Sequence, residues 1–250
     1  MRKNVCILMP LYNEAATIQK CCQRVLALSY LEKLIVVDDA SSDGSAELVQ
    51  EIGDDRITLI RHDRNQGKTA ALATGLQHAT SEVIVVQDAD LEYDPAEIEY
   101  LCEPIWSNQA DVVYGSRFLV RRASRVLYFY HYLGNKFISF FSNLMTNKNM
   151  SDVETGYKAF RGSVLSGMPI TSRRFGFEVE VTAKVCKTKA RIYETPISYY
   201  GRTYEQGKKV TSWDGLMALW YILRYNLYVD APTRAYIKRV NHDLTAAEMS

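Results

Sequence analysis

Cysteine is scarce in this chain of 250 residues, and the count is odd: Cys6, Cys21, Cys22, Cys102 and Cys186 make five. Two are adjacent and no C-x-x-C occurs, which excludes a disulfide framework and a zinc site on paired cysteines and fits a reducing compartment. Net charge is equally scarce. Thirty Lys+Arg against 29 Asp+Glu leave +1, so no bulk basic field invites nucleic acid, and no nucleic-acid partner is expected. No stretch reaches the roughly 18 uncharged apolar residues that a spanning helix requires. The opening MRKNVCILMPLYNE has too short an apolar run for a secretory signal, so a cytoplasmic location is expected. The four histidines (His62, His78, His131, His242) show no metal-ligand spacing. Internal repeats, low-complexity tracts and Pro/Gly-rich linkers are absent. What remains is 47% hydrophobic and 24% charged, an ordinary globular composition with material for a substantial core.

The first half alternates short apolar runs with helical patterns. Val5 to Met9, Leu34 to Val37, Ile57 to Ile60, Val83 to Val86 and Asp111 to Tyr114 read as buried strands. Between them, Ala15, Ile18, Cys22, Val25 and Leu26 share a helical face, and further helices are expected over 45–52, over 68–78 and after Pro95. Strands and helices at this spacing predict an α/β fold, a mostly parallel central sheet with helices on both faces. Residues 1–228 read as one domain, with 1–115 as its nucleotide half and 116–228 as its acceptor half. From Ala231 the periodicity fades, so 229–250 reads as a mobile tail.

Ligands of open α/β sheets bind outside the carboxyl ends of the strands. Asp38-Asp39 and Asp88-Ala-Asp90 both fall there. Asp43 before Gly44 has a plainer explanation, since Asp-Gly is a turn dipeptide. Carboxylates two residues apart in extended chain point the same way and can share a hard divalent cation, and Glu92 could join Asp88 and Asp90 from that side. A cation would relieve the mutual repulsion of three acids. Gly67-Lys68-Thr69 is no P-loop, because His62 stands where the Walker pattern needs glycine. No G-x-G-x-x-G follows a strand, which argues against a dinucleotide oxidoreductase.

Seven motifs occur in order. Pro10-Leu-Tyr-Asn-Glu14 and Val36-Val-Asp-Asp-Ala-Ser-Ser-Asp-Gly-Ser45 come first, then Asn65-Gln-Gly-Lys68 and Asp88-Ala-Asp90. Tyr114-Gly-Ser-Arg117, Glu154-Thr-Gly-Tyr-Lys-Ala-Phe-Arg161 and Arg174-Phe-Gly-Phe-Glu178 follow. From Val5 to about Tyr228 the chain resembles the family 2 inverting glycosyltransferases of GT-A fold, and most of all the polyprenyl- and dolichyl-phosphate sugar synthases. The resemblance implies that Pro10, Tyr12 and Glu14 line the nucleotide site, with Asp39 near base or ribose and Lys68 and Asp88 completing the pocket. It implies a Mg²⁺ or Mn²⁺ ion at Asp90, bridging the diphosphate of a nucleotide sugar, with UDP preferred over GDP by family usage. Relatives often carry Gln where Glu92 stands. Arg117 is placed to meet an acceptor phosphate, and Arg202 to meet that phosphate or the leaving diphosphate. The Q-x-x-R-W motif of processive synthases is missing, since Gln206 leads only to Gly-Lys-Lys-Val210. Transfer of a single sugar to polyprenyl phosphate is therefore expected. The alternative is transfer to a sugar hydroxyl of a cell-surface glycan, which needs a base from Asp152 or Glu154.

In the second half, VLYFYHYLGNKFISFFSNLM from Val126 to Met145 is rich in aromatics and follows Arg121, Arg122 and Arg125. Leu216, Leu219, Trp220, Leu223 and Leu227 form a second apolar face. Such helices suit the cytoplasmic surface of a membrane or a homo-oligomer contact, since either would bury the same faces. Between them Arg202, Gly207, Lys208 and Lys209 mark a basic loop suited to closing over phosphate, with Lys208 assigned to the donor site.

Overall fold

The computed structural model describes residues 4–119, 126, 128–201 and 212–248. Seven strands form one sheet: β1 (Val5–Leu11), β2 (Leu31–Asp38), β3 (Ile57–Arg61), β4 (Val83–Val86), β5 (Val112–Ser116), β6 (Lys158–Arg161) and β7 (Ile192–Pro196), in the order β3-β2-β1-β4-β6-β5-β7. β1, β2, β3 and β4 pair in parallel, as do β5 and β7. β6 alone is antiparallel to both of its neighbours, β4 and β5. The expected mostly parallel sheet is present.

The continuous apolar runs reflect burial on both faces. Val5, Ile7, Met9 and Leu11 of β1 face one core, covered by α1 (Ile18–Leu26), α2 (Ser45–Gln50) and α4 (Ile98–Trp106). Cys6 and Leu8 face the other, which includes residues of α3 (Lys68–Leu76) and α7 (Phe177–Val185). β1 leads through α1 to β2 on one side and has β4 on the other, so the strand order reverses at β1. The crevice outside the carboxyl ends of β1, β2 and β4 is therefore the switch point where such sheets bind ligands.

Two helices carry the aromatic segments, α5 (Phe129–Thr146) and α8 (Ser212–Leu227), and they pack against each other. α8 uses Ala218, Ile222 and Tyr225 for the core, while Leu216, Trp220 and Leu227 lie exposed. Phe129, Tyr130 and Phe140 of α5 are exposed too. No helix among the described residues is long and apolar enough to cross a membrane. A single-turn helix α6 (Gly162–Leu165) follows β6.

The segment expected as a mobile tail is instead a helix, α9 (Ala231–Glu248). Tyr236, Val240 and Leu244, four residues apart, are buried, and the Tyr236 hydroxyl donates to Val164 O at 2.8 Å. One residue per turn among charged neighbours makes a narrow stripe, so the periodicity is faint in sequence. The start signal was legible: the Asp230 carboxylate accepts from Thr233 N at 2.9 Å, with Pro232 in the first turn.

Candidate active site

The loop after β1 and the loop after β2 are stitched together. Asn13 N donates to Ser41 Oγ and Glu14 N to Ser45 Oγ, while the Asn13 amide oxygen accepts from Ser42 N. Asp43 turns inward onto Ala15 N and Ser45 N, which is the turn role expected of it. Pro10 lies in β1 opposite Val37, Glu14 is half-buried, and Tyr12 stands exposed at the mouth of the crevice. Asn13, Ala40, Leu91 and Arg174 all have φ between 50° and 61°. Four non-glycine residues in the left-handed region, all in loops of this one crevice, are strain of the kind that collects at ligand sites.

Asp39 is buried, and its carboxylate accepts from Gln66 N at 2.9 Å and Gly67 N at 2.6 Å. It also meets His62 Nδ1 at 2.8 Å, whose Nε2 reaches the Thr74 hydroxyl. Asp39 thus fixes the path of the chain into α3 and delivers Lys68. The Lys68 ammonium lies 2.8 Å from one Asp88 oxygen and 3.0 Å from Glu178 Oε1. Burial alone would lower its pKa, but the carboxylates of Asp88 and Glu178 raise it well above the usual lysine range. Glu178 carried no assigned role in sequence. Gly156 lets the chain pass close beside Asp88, since a Cβ there would push the Asp88 carboxylate aside.

The chain beyond β4 does not run on extended. Residues 89 and 90 turn, so the shared-face geometry assumed for Asp88 and Asp90 is replaced by a turn in which Asp90 Oδ1 accepts from Glu92 N at 3.1 Å. The strand ends because Val86 is its last paired residue. Glu92 Oε2 accepts from the Tyr199 hydroxyl at 2.9 Å, which directs that oxygen toward β7's trailing loop. Among the described residues no group of three or more His, Cys, Asp or Glu side chains is arranged to hold a metal ion.

Arg117 follows β5 and grips Asp152 with two bonds of 2.7 Å, from Nε and Nη2, and a third of 3.1 Å from its backbone N. Asp152 is fully buried, and burial would lower the Arg117 pKa were it not for that carboxylate, which raises it. The rings of Phe118 and Tyr199 flank the guanidinium at 5.7 and 5.2 Å. Glu154 lies close by. Burial pushes its carboxyl up to about 7, Glu178 adds to the rise, and Lys158 and Arg117 oppose it. Its Oε1 is buried without a hydrogen-bond partner among the described residues. Burial also depresses Lys158, whose ammonium is held by the carbonyls of Val153 and Thr155. Arg202 and Lys208 lie outside the described residues.

Residues 6–167 match the family model described as glycosyl transferase family 2. The chain belongs to that family. An undecaprenyl-phosphate mannosyltransferase of Micrococcus luteus is 28% identical over 246 residues, covering 89% of this chain and 98% of that protein. An undecaprenyl-phosphate 4-deoxy-4-formamido-L-arabinose transferase of Pectobacterium carotovorum is 34% identical over 173 residues, covering 66% of this chain. The match spans only 51% of that relative, about half its length. A dolichol-phosphate mannosyltransferase of Pyrococcus furiosus is 27% identical over 82% of this chain and 58% of its own. Among solved structures, glucosyl-3-phosphoglycerate synthase from Mycobacterium tuberculosis with Mn²⁺, UDP and phosphoglyceric acid superposes with a TM-score of 0.70 at 15% identity. That superposition covers 91% of this chain and 80% of the synthase. The family 2 chain has the GT-A fold.

Proposed function

We propose that this family 2 protein is an inverting glycosyltransferase that moves one sugar from a nucleoside diphosphate, UDP in preference to GDP, to a polyprenyl phosphate. The observation that carries it is the pairing of Lys68 with Asp88 just beyond the carboxyl end of β4, two residues before Asp90. The match to the Micrococcus enzyme, over 89% of this chain and 98% of that protein, supports the lipid phosphate.

The donor set fits a hard divalent cation. Sites that handle diphosphates commonly use one or two carboxylates, with phosphate oxygens and water completing the shell. Asp90 and Asp88 would hold Mg²⁺ or Mn²⁺, with Glu92 on their flank. Bound there, the cation would supply positive charge for the departing diphosphate. A phosphate monoester is already ionised near neutral pH, so an acceptor oxygen attacks the anomeric carbon without surrendering a proton. The new carbon–oxygen bond forms in line as the bond to the diphosphate breaks, and the nucleoside diphosphate leaves with the electron pair. Inversion follows. The protein's task is alignment, with Lys68 on the donor side and Arg117, Arg202 and Lys208 as cations for the two anions. The outward faces of α5 and α8 suit a membrane surface on the cytoplasmic side, where such a lipid would be met.

One observation favours a hydroxyl acceptor instead. Glu154, with its carboxyl near 7, is poised as a general base, whereas Asp152 is committed to Arg117. Glu154→Gln separates the two. A phosphate acceptor predicts a loss below about tenfold in kcat, a hydroxyl acceptor a loss on the order of 10²–10⁴. We expect the small loss. The same variant carries a pH signature. A carboxyl raised from 4.5 to about 7 by folding contributes stability below pH 4.5 that is lost as pH rises through about 7. Gln cannot ionise, so the variant should melt higher than the parent above pH 7, by calorimetry, with the advantage fading toward pH 5.

A further inference from the structure

Lys68 lies between carboxylates from distant parts of the chain. Asp88 follows β4, while Glu178 lies in the first turn of α7, and each touches the same ammonium. The start of α7 is pinned to the start of α3. Thr69 donates from both N and Oγ1 to Arg174 O at 2.9 Å, and Thr69 Oγ1 accepts from Phe177 N at 3.1 Å. Gly67 completes the contact, because a Cβ there would lie 2.9 Å from Arg174 Cα. These contacts hold Glu178 beside Lys68. Its second oxygen, Oε2, is buried and has no hydrogen-bond partner among the described residues, so the carboxylate has capacity to spare for the ammonium.

We propose that Glu178 is a positioning residue that keeps Lys68 paired when Asp88 turns from the ammonium to the divalent cation of the donor. This rests on the metal reading given above. As the site stands, a cation that draws on Asp88 competes with Lys68 for the same carboxylate. With Glu178 in place the ammonium keeps one partner throughout, and Asp88 can be shared. Without Glu178, withdrawal of Asp88 would strand an ammonium that is only 16% exposed, a state the protein resists strongly. Lys68 would then hold Asp88 more tightly and oppose entry of the cation.

The test uses the whole chain with Mn²⁺ alone, no nucleotide, following the electron paramagnetic resonance signal of free Mn²⁺. Glu178→Gln should weaken Mn²⁺ binding by about fivefold or more, because the competing ammonium has lost its second partner. Glu178→Asp, which restores the charge, should recover most of the affinity. Lys68→Met/Glu178→Gln should bind Mn²⁺ within about twofold of the unsubstituted chain, since the competitor itself is gone. That recovery is what a merely structural role would not produce. The double variant removes both charges of the buried pair, so it remains informative where Glu178→Gln alone does not fold. Unchanged affinity in Glu178→Gln, or a double variant as weak as that single one, overturns the proposal. An unsubstituted chain that takes up no Mn²⁺ would overturn the metal reading, and this inference with it.

Discussion

Replacing Asp90 by Asn is expected to reduce sugar transfer by about 10³-fold, close to 4 kcal/mol of transition-state stabilisation, while leaving the fold intact. Asp90 is partly exposed in the turn after β4, where its Oδ1 accepts from Glu92 N. An asparagine oxygen can accept that same bond, so the turn should survive. The stability should stay within the spread of ordinary surface substitutions, about 0.5 kcal/mol. What disappears is the charge beside Asp88, and with it the proposed hold on the cation that meets the diphosphate. Steady-state kinetics beside thermal denaturation of the same preparation decides the matter. Full activity in Asp90→Asn would end the metal role of this residue.

The largest stability effect is expected at Arg117. Arg117→Met should destabilise the protein by about 3–5 kcal/mol, because it leaves the fully buried Asp152 carboxylate without its bidentate partner. Much of that loss should return in Arg117→Met/Asp152→Leu, where no charge is left uncompensated. Denaturant midpoints for the parent, both single variants and the double variant form the cycle that measures this coupling. The refolded double variant then answers a separate question. With stability restored, a remaining defect in transfer that exceeds that of Asp152→Leu alone belongs to the guanidinium's meeting with the acceptor phosphate. Normal transfer there would confine Arg117 to bracing Asp152, and additive losses in the cycle would deny even the brace.

The parts of the molecule legible in sequence are those written in local spacing. The runs Val5 to Met9, Leu34 to Val37 and Val83 to Val86 mark buried strands, and the acids that follow them fall at the switch point of the sheet. β6 was not legible, because Lys158–Arg161 is four residues long with cations at both ends and an apolar pair between. Its antiparallel course comes from β4 and β5, which it separates. Long-range pairings were silent for a plainer reason. Asp152 is 35 residues from Arg117, and Glu178 lies more than a hundred from Lys68, distances at which no period or spacing operates. Turn geometry was the remaining gap. A D-x-D pattern leaves open whether its chain runs straight, and here the turn at 89–90 and the bond from Tyr199 to Glu92 decide where the carboxylates point. α8 reads as amphipathic in sequence, yet it is apolar on both sides, one facing the core and one outward.

The most direct test of the account is to follow release of UDP and GDP from a panel of sugar nucleotides with Mn²⁺, with and without polyprenyl phosphate. The acceptor is offered once as a soluble short-chain form and once in vesicles. Release should require the lipid phosphate, match glycolipid formed mole for mole, favour one UDP-sugar and run faster on vesicles. Nucleotide release that ignores the lipid phosphate, with no glycolipid formed, would contradict it.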